Sequence, residues 1–309
     1  MRGPLIAAVV QVQVLVLVLV LAAGCATAPS RVGSDGRSGP IQVVAAENFW
    51  GSIAAQLGGD RVQVTSIIDN PDADPHDYEA TAADGRAFAG ADLTIVNGVG
   101  YDTWASDLSA ANPSTSRVDL SVGDLVGAGP GANPHRWYDP ADVAVVIDAI
   151  TRRLDQLDPG SNGYYDQRRA AFVTTALAEY RGVIDDIRTH YTGSRVGASE
   201  SIVSMLAPAL GLDVTTPSGF LLAITEGVDP TAADKAAADR QIATGAVAVY
   251  VYNPQNASPD VQAQISAAQQ RGIPLVTMSE TMTPAGASWQ QWQTAQLQAL
   301  RAALDRARG

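Results

Sequence analysis

The sequence predicts an α/β fold of two Rossmann-like lobes with mainly parallel sheets, joined by one long helix. Three observations carry this. Short β-rich runs alternate with helical patterns before residue 158, and the alternation resumes after residue 194. Between them lies a proline-free stretch whose apolar residues recur at helical spacing. Alternating strands and helices build βαβ units and parallel sheets.

Residues 1–24 run from Arg2 into an apolar stretch, Leu5 to Ala23, broken only by Gln11 and Gln13. A basic start, an apolar middle and small residues at the end lay out a secretory signal. The stretch closes Leu21-Ala22-Ala23-Gly24-Cys25, which resembles a bacterial lipobox and makes Cys25, the sole cysteine, the expected lipidation site. An exported lone thiol has no internal disulfide partner, and acylation accounts for it. The alternative is an uncleaved anchor, since the run approaches bilayer-spanning length. Either way the remainder is expected outside the cytoplasm, tethered to a membrane. Residues 25–40 are rich in Ser, Gly, Pro and Arg and read as a flexible tether.

The first lobe, residues 41–158, opens with the β-rich run Ile41–Ala46 and a helical stretch Phe49–Leu57. Val62–Ile68 and Ala91–Asn97 are further strands, with a helical segment near Ala82–Ala89 between them. From Ser161 to His190, Phe172, Ala176, Tyr180, Val183, Ile184 and Ile187 mark one helix face. Thirty residues at 1.5 Å each span roughly 45 Å, so residues 159–193 read as a linking strut. Two helices broken near Gly163 are the alternative. The second lobe, residues 194–309, alternates strand Arg195–Ser199, helix 200–210, strand Leu212–Thr215, helix 230–243, strand Val247–Tyr252, helix 258–271 and strand Ile273–Met278. A last helix covers about Ser288 to Arg306.

The formal net charge is −12, and loss of residues 1–24 removes only Arg2 among charged residues, giving −13. An acidic chain lacks the basic footprint that nucleic acid requires. It suits cations, although acidity alone mostly reflects solubility.

Two of the three histidines share a setting. Asp74-Pro75-His76-Asp77-Tyr78-Glu79 and Asn133-Pro134-His135-Arg136-Trp137-Tyr138-Asp139-Pro140 each place histidine after proline and two residues before an aromatic. Proline fixes the local backbone, so each histidine is held in a defined place. His190 ends the long helix, where a cationic side chain suits the dipole. In open α/β sheets, ligands bind outside the carboxyl ends of the strands. Glu200 follows the strand Arg195–Ser199 and Glu280 follows Ile273–Met278, so both are expected at a cleft edge. An ordinary helix-start role is the alternative, especially for Glu200.

With these residues the sequence resembles the zinc- and manganese-binding lipoproteins of bacterial ABC importers, the cluster A-I solute-binding proteins. That family carries Pro-His-x-Tyr-Glu-Pro and Pro-His-x-Trp-x-Asp-Pro, matched here by Pro75–Ala80 and Pro134–Pro140. Ala91-Asp92-Leu93, Asn97-Gly98, Trp104 and Asp158-Pro159 also fit, and the resemblance spans residues 41–309. It implies a ligand set of His76, His135, Glu200 and Glu280, two from each lobe. Ser199-Glu200 replaces the histidine common in zinc-type members, and Glu280 stands where an aspartate is usual. Asn253 occupies a position where the family often has glutamate, which is expected to weaken any supporting role there. Residues 122–134 are rich in Gly and Pro in place of a histidine-rich loop.

The cargo implied is Mn2+ or Zn2+, with a slight lean to manganese because carboxylates favour harder ions. The partners implied are an ABC transporter permease and a membrane reached through lipid on Cys25, with no nucleic acid and a monomeric state. Protonation of the histidines competes with metal, so affinity is expected to fall below about pH 6. No enzymatic activity is expected. A metal-dependent hydrolase is the first alternative, with Asp77, Glu79 or Asp139 as base, but His-Glu-x-x-His, a phosphate loop and Gly-x-Ser-x-Gly are all missing. A surface adhesin stabilised by metal is the second.

Overall fold

A computed structural model describes residues 39–71, 78–256 and 258–308. The expected signal, Cys25, most of the expected tether and His76 lie outside the described residues. Eight strands and twelve α-helices are found among those described.

Strand β1 (Ile41–Glu47) leads into α1 (Asn48–Gly58) and β2 (Val62–Ile68). Helix α2 (Ala82–Gly90), β3 (Leu93–Val96), α3 (Thr103–Ala111), β4 (Val118–Ser121) and α4 (Val122–Val126) follow. The first sheet has the order β2-β1-β3-β4, every pair parallel. Nearly every residue of the central strand β1 is buried, as expected for a parallel strand covered on both faces. Sequence reading placed β1, β2 and β3 but not β4, a four-residue edge strand with Asp119 and Ser121 among its residues. So short and polar a run gives no periodic signal.

After helix α5 (Pro140–Leu157) the chain enters the expected strut. Helix α6 (Asn162–Ala171) passes through Gly163 without a break. The departure comes later, where Phe172–Ala176 form a π-turn and Leu177 N donates to Phe172 O at 3.0 Å. Helix α7 (Ala178–Tyr191) completes the segment. After Tyr165 the buried apolar residues are Phe172, Leu177, Tyr180, Ile184, Ile187 and Tyr191, so the stripe steps five residues at the π-turn.

The second sheet repeats the first. Strand β5 (Arg195–Ala198), α8 (Ile202–Leu210), β6 (Asp213–Val214), α9 (Ser218–Thr225) and α10 (Ala232–Ala243) lead to β7 (Val249–Tyr252). Helix α11 (Pro259–Arg271), β8 (Leu275–Thr277) and α12 (Trp289–Arg308) close the chain. The order is β6-β5-β7-β8, again parallel throughout. One buried apolar cluster reaches from Ile41 and Leu93 in the first sheet, through Trp137 and Tyr138, to Val251 and Trp292 in the second half. In each sheet the order reverses beside the first strand, between β1 and β3 and between β5 and β7. Such switch points mark ligand crevices at the carboxyl edge. Glu47 and Asn97 end up at the first, Glu200 and Asn253 at the second.

Candidate metal centre

His135 lies in the loop before α5 and is 0 % exposed. Pro134 and Pro140 bracket its turn, and the Asp139 carboxylate caps α5 by accepting from Ala141 N at 2.8 Å. That cap employs Asp139 structurally, while Glu79 is exposed. Trp137 flanks the imidazole at 5.3 Å between centroids and is itself stacked on Phe49 at 4.0 Å.

The tautomer of His135 follows from its neighbours. Asn133 Nδ2 donates to Ser201 O at 2.7 Å, which turns Asn133 Oδ1 toward the histidine. That oxygen accepts from His135 N at 3.1 Å and lies 2.9 Å from Nδ1. Nδ1 therefore carries the proton, and Nε2 keeps its lone pair for a cation. Ser201 Oγ, 3.1 Å from Nδ1, comes from the other half of the molecule. Sequence reading missed Asn133 and Ser201, although Asn133 heads the quoted histidine motif.

Nε2 of His135 stands 3.9 Å from Oε2 of Glu280. That is too long for a hydrogen bond. It is within the separation of two ligands on one ion, at most about 4.2 Å for metal–ligand bonds near 2.1 Å. Glu280, 2 % exposed, is held through its backbone N and both carboxylate oxygens. Its backbone N donates to Gln255 Oε1 at 2.7 Å. Oε1 accepts from Asn253 Nδ2 at 2.9 Å, and Oε2 accepts from the Tyr101 hydroxyl at 2.9 Å. The expectation that Asn253 weakens any supporting role is thus corrected: an amide can donate to a carboxylate where a glutamate would repel it.

Glu200, 3 % exposed, follows β5 as the strand pattern anticipates. Its charge and that of Glu280 both act on the Tyr138 hydroxyl, whose pKa is driven well above the ordinary range, chiefly by burial. Among the described residues no three His, Cys, Asp or Glu side chains converge tightly enough to hold an ion. The structure therefore brings His135 and Glu280 together, buries Glu200 nearby and does not describe His76. His190 is on the surface, where Nδ1 donates to Asp186 O at 2.9 Å.

Beneath the pair lies a second acidic layer that the sequence did not single out. Asp102 accepts from Asn97 N at 2.6 Å and Gly98 N at 2.7 Å, tightening the loop that presents Tyr101. This loop is strained: Gly98, Val99 and Gly100 have φ of 71°, 58° and 83°. A β-branched residue in the left-handed region is an outlier that surrounding contacts must enforce. Here Trp50 Nε1 donates to Asn97 Oδ1 at 3.2 Å and Asn97 Nδ2 to Pro134 O at 2.8 Å. Glu47, 1 % exposed at the end of β1, has its pKa raised well above normal by burial and by the neighbouring Asp102. A proton on Glu47 lets it donate to Asp102. With Glu47 protonated and Asp102 hydrogen-bonded, the buried carboxylates of Glu200 and Glu280 are the pair suited to a cationic guest.

The profile of the family described as ZnuA, zinc-uptake complex component A periplasmic, matches residues 43–303. The manganese-binding lipoprotein MntA of Halalkalibacterium halodurans is 27 % identical over 199 residues, covering 62 % of this chain and 64 % of that protein. The metal ABC transporter substrate-binding lipoprotein FimA of Streptococcus parasanguinis is 26 % identical over 156 residues, 46 % of this chain and 50 % of its own length. The match thus spans less than two thirds of either relative. The solute-binding protein FpvC of Pseudomonas aeruginosa, solved with Mn2+, superposes with a TM-score of 0.71 at 19 % identity, covering 87 % of this chain and 99 % of that one. At that identity the likeness establishes the two-lobed fold.

Proposed function

Because the chain belongs to the family of zinc-uptake complex component A periplasmic proteins, we propose that it captures a divalent transition metal outside the cytoplasm and delivers it to an ABC permease. The observation that carries this reading is the buried pair His135 Nε2 and Glu280 Oε2, 3.9 Å apart, from opposite halves of the molecule. An ion held between them pins the halves together. Release to a partner then needs only that they part. His76 and Glu200 complete the proposed ligand set, one from each lobe.

In this reading residues 1–24 are the lipoprotein signal, Cys25 carries the lipid, and residues 25–40 tether two lobes of residues 41–158 and 194–309. The linking helix, residues 159–193, joins them. The chain acts as a monomer and has no catalytic role. Asp139 serves as a helix cap, which removes one of the bases a hydrolase would need. The cargo is manganese or zinc. Neutral imidazole and carboxylate suit both, and zinc binds such sites tightly whatever the physiological cargo.

Equilibrium dialysis with elemental analysis on chelator-stripped protein tests the reading. One equivalent of manganese or zinc is expected in the parent protein, and none after His76→Ala plus His135→Ala. Stoichiometric metal in the double variant, or no metal in the parent, overturns the assignment.

A further inference from the structure

The carboxylate of Glu280 is gripped from both halves of the molecule. Tyr101, on the strained loop before α3, donates to Oε2 at 2.9 Å, and Asn253, at the end of β7, donates to Oε1 at 2.9 Å. The Asn253 donor is not free to swing. Its Oδ1 accepts from Gln255 N at 3.0 Å, which orients the amide and aims Nδ2 at Glu280. Gln255 Oε1 in turn accepts from both Glu280 N at 2.7 Å and Thr281 N at 3.2 Å. Gln255 Nε2 donates to Pro71 O at 2.9 Å, across to the first half. Backbone and side chain of Glu280 are therefore both fixed.

The two oxygens are fixed in different roles. Oε2 faces His135 Nε2, whereas Oε1 is directed to an amide donor. Each oxygen has two lone pairs, so Oε2 can accept from Tyr101 and still serve an ion. Oε1 has the same capacity, so direction is what separates the two: the bond from Asn253 holds the carboxylate plane with Oε2 toward His135 Nε2. We propose that Asn253 and Tyr101 are positioning residues that make Glu280 a one-oxygen ligand, and that Asn253 thereby biases the site toward zinc over manganese. The physical reason is ligand number. Zinc is satisfied by four donors, whereas manganese favours a larger, oxygen-rich shell. A carboxylate held to one oxygen lowers the count. The inference rests on the reading of Glu280 as a ligand.

The test uses the full chain and three variants, Asn253→Ala, Tyr101→Phe and Glu280→Ala. Manganese and zinc affinities are measured by dialysis against a competing chelator, and the number of nitrogen and oxygen neighbours by zinc-edge X-ray absorption. Asn253→Ala releases Oε1 and is expected to add one oxygen neighbour. It should also move the manganese-to-zinc affinity ratio toward manganese by about tenfold, the scale of one hydrogen bond to a charged group. Tyr101→Phe keeps the ring that packs 5.0 Å from Trp137 and is expected to weaken both metals together. An Asn253→Ala protein with the parent's ratio and neighbour count overturns the inference and leaves the carrier reading standing. Parent-like affinity in Glu280→Ala, or no metal in the parent, overturns both.

Discussion

The hydroxyl of Tyr138 lies 2.7 Å from the carbonyl oxygen of Ser279, so the first half of the molecule is bonded to the residue immediately before Glu280. Tyr138 is fully buried, and its ring meets Trp292 at 5.6 Å. Tyr138→Phe keeps that packing and removes the hydroxyl shared between Ser279 O and Gln296 Oε1. The expected cost is about 1 kcal/mol of stability, read from urea unfolding of the metal-free protein. Faster metal loss to a chelator should accompany it.

Asn133 fixes the proton of His135 on Nδ1. Asn133→Ala removes that orientation and leaves every proposed ligand in the sequence. Loss of a partner that orients a metal-binding histidine typically costs about 10–100-fold in affinity. Chelator competition should show a loss of that size for manganese and zinc alike. Unchanged affinity would show that the tautomer is set elsewhere.

Glu47 gives a pH signature with a definite sign. Burial, reinforced by Asp102, raises its pKa in the folded protein. Below the unfolded value near 4.3 both states hold the proton and folding is unpenalised. As pH rises past that value the unfolded chain releases the proton while the folded one retains it, so stability falls until the folded pKa is passed. Glu47→Gln removes the titration and keeps a donor for Asp102. Its stability advantage over the parent is expected to vanish at pH 4 and to grow as pH rises toward 8. Urea midpoints at the two pH values decide it.

Histidine protonation adds a separate dependence in binding. Metal affinity is expected to fall as pH drops below about 6, because imidazole must be neutral to ligate. Dialysis at pH 7 and pH 5 measures the difference. The two pH effects are separable, since Glu47→Gln should leave this one in place.

How much of this was legible in the sequence depends on the distance over which each feature is specified. Val62–Ile68 is a β-branched run bounded by turns, and its strand was read residue for residue. The rule that ligands gather at the carboxyl ends of parallel strands put Glu280 at a cleft edge, and the structure sets it beside His135. Tyr101 was not, because its importance comes from a carboxylate 179 positions away. Asn253 was read in the wrong sense for the same reason: only the fold shows that its amide faces Glu280. Asn133 was legible in principle, two residues from His135 within the same motif. The π-turn was hidden because a stripe stepping by five at one point still looks helical on either side.

That π-turn sets an angle. Each residue of an α-helix adds about 100° of rotation about its axis. The residue accommodated between Phe172 and Leu177 therefore determines the azimuth at which everything after Tyr191 departs from the strut. A chain with the same two sheets and one residue fewer here would carry its second sheet around by more than a quarter turn. His135 and Glu280 would then look past one another, with every residue around them unchanged. The dial that aligns the two halves of the centre is thus a helix insertion far from either half in sequence. Insertions and deletions are expected to be tolerated in the outer loops and not in residues 172–177.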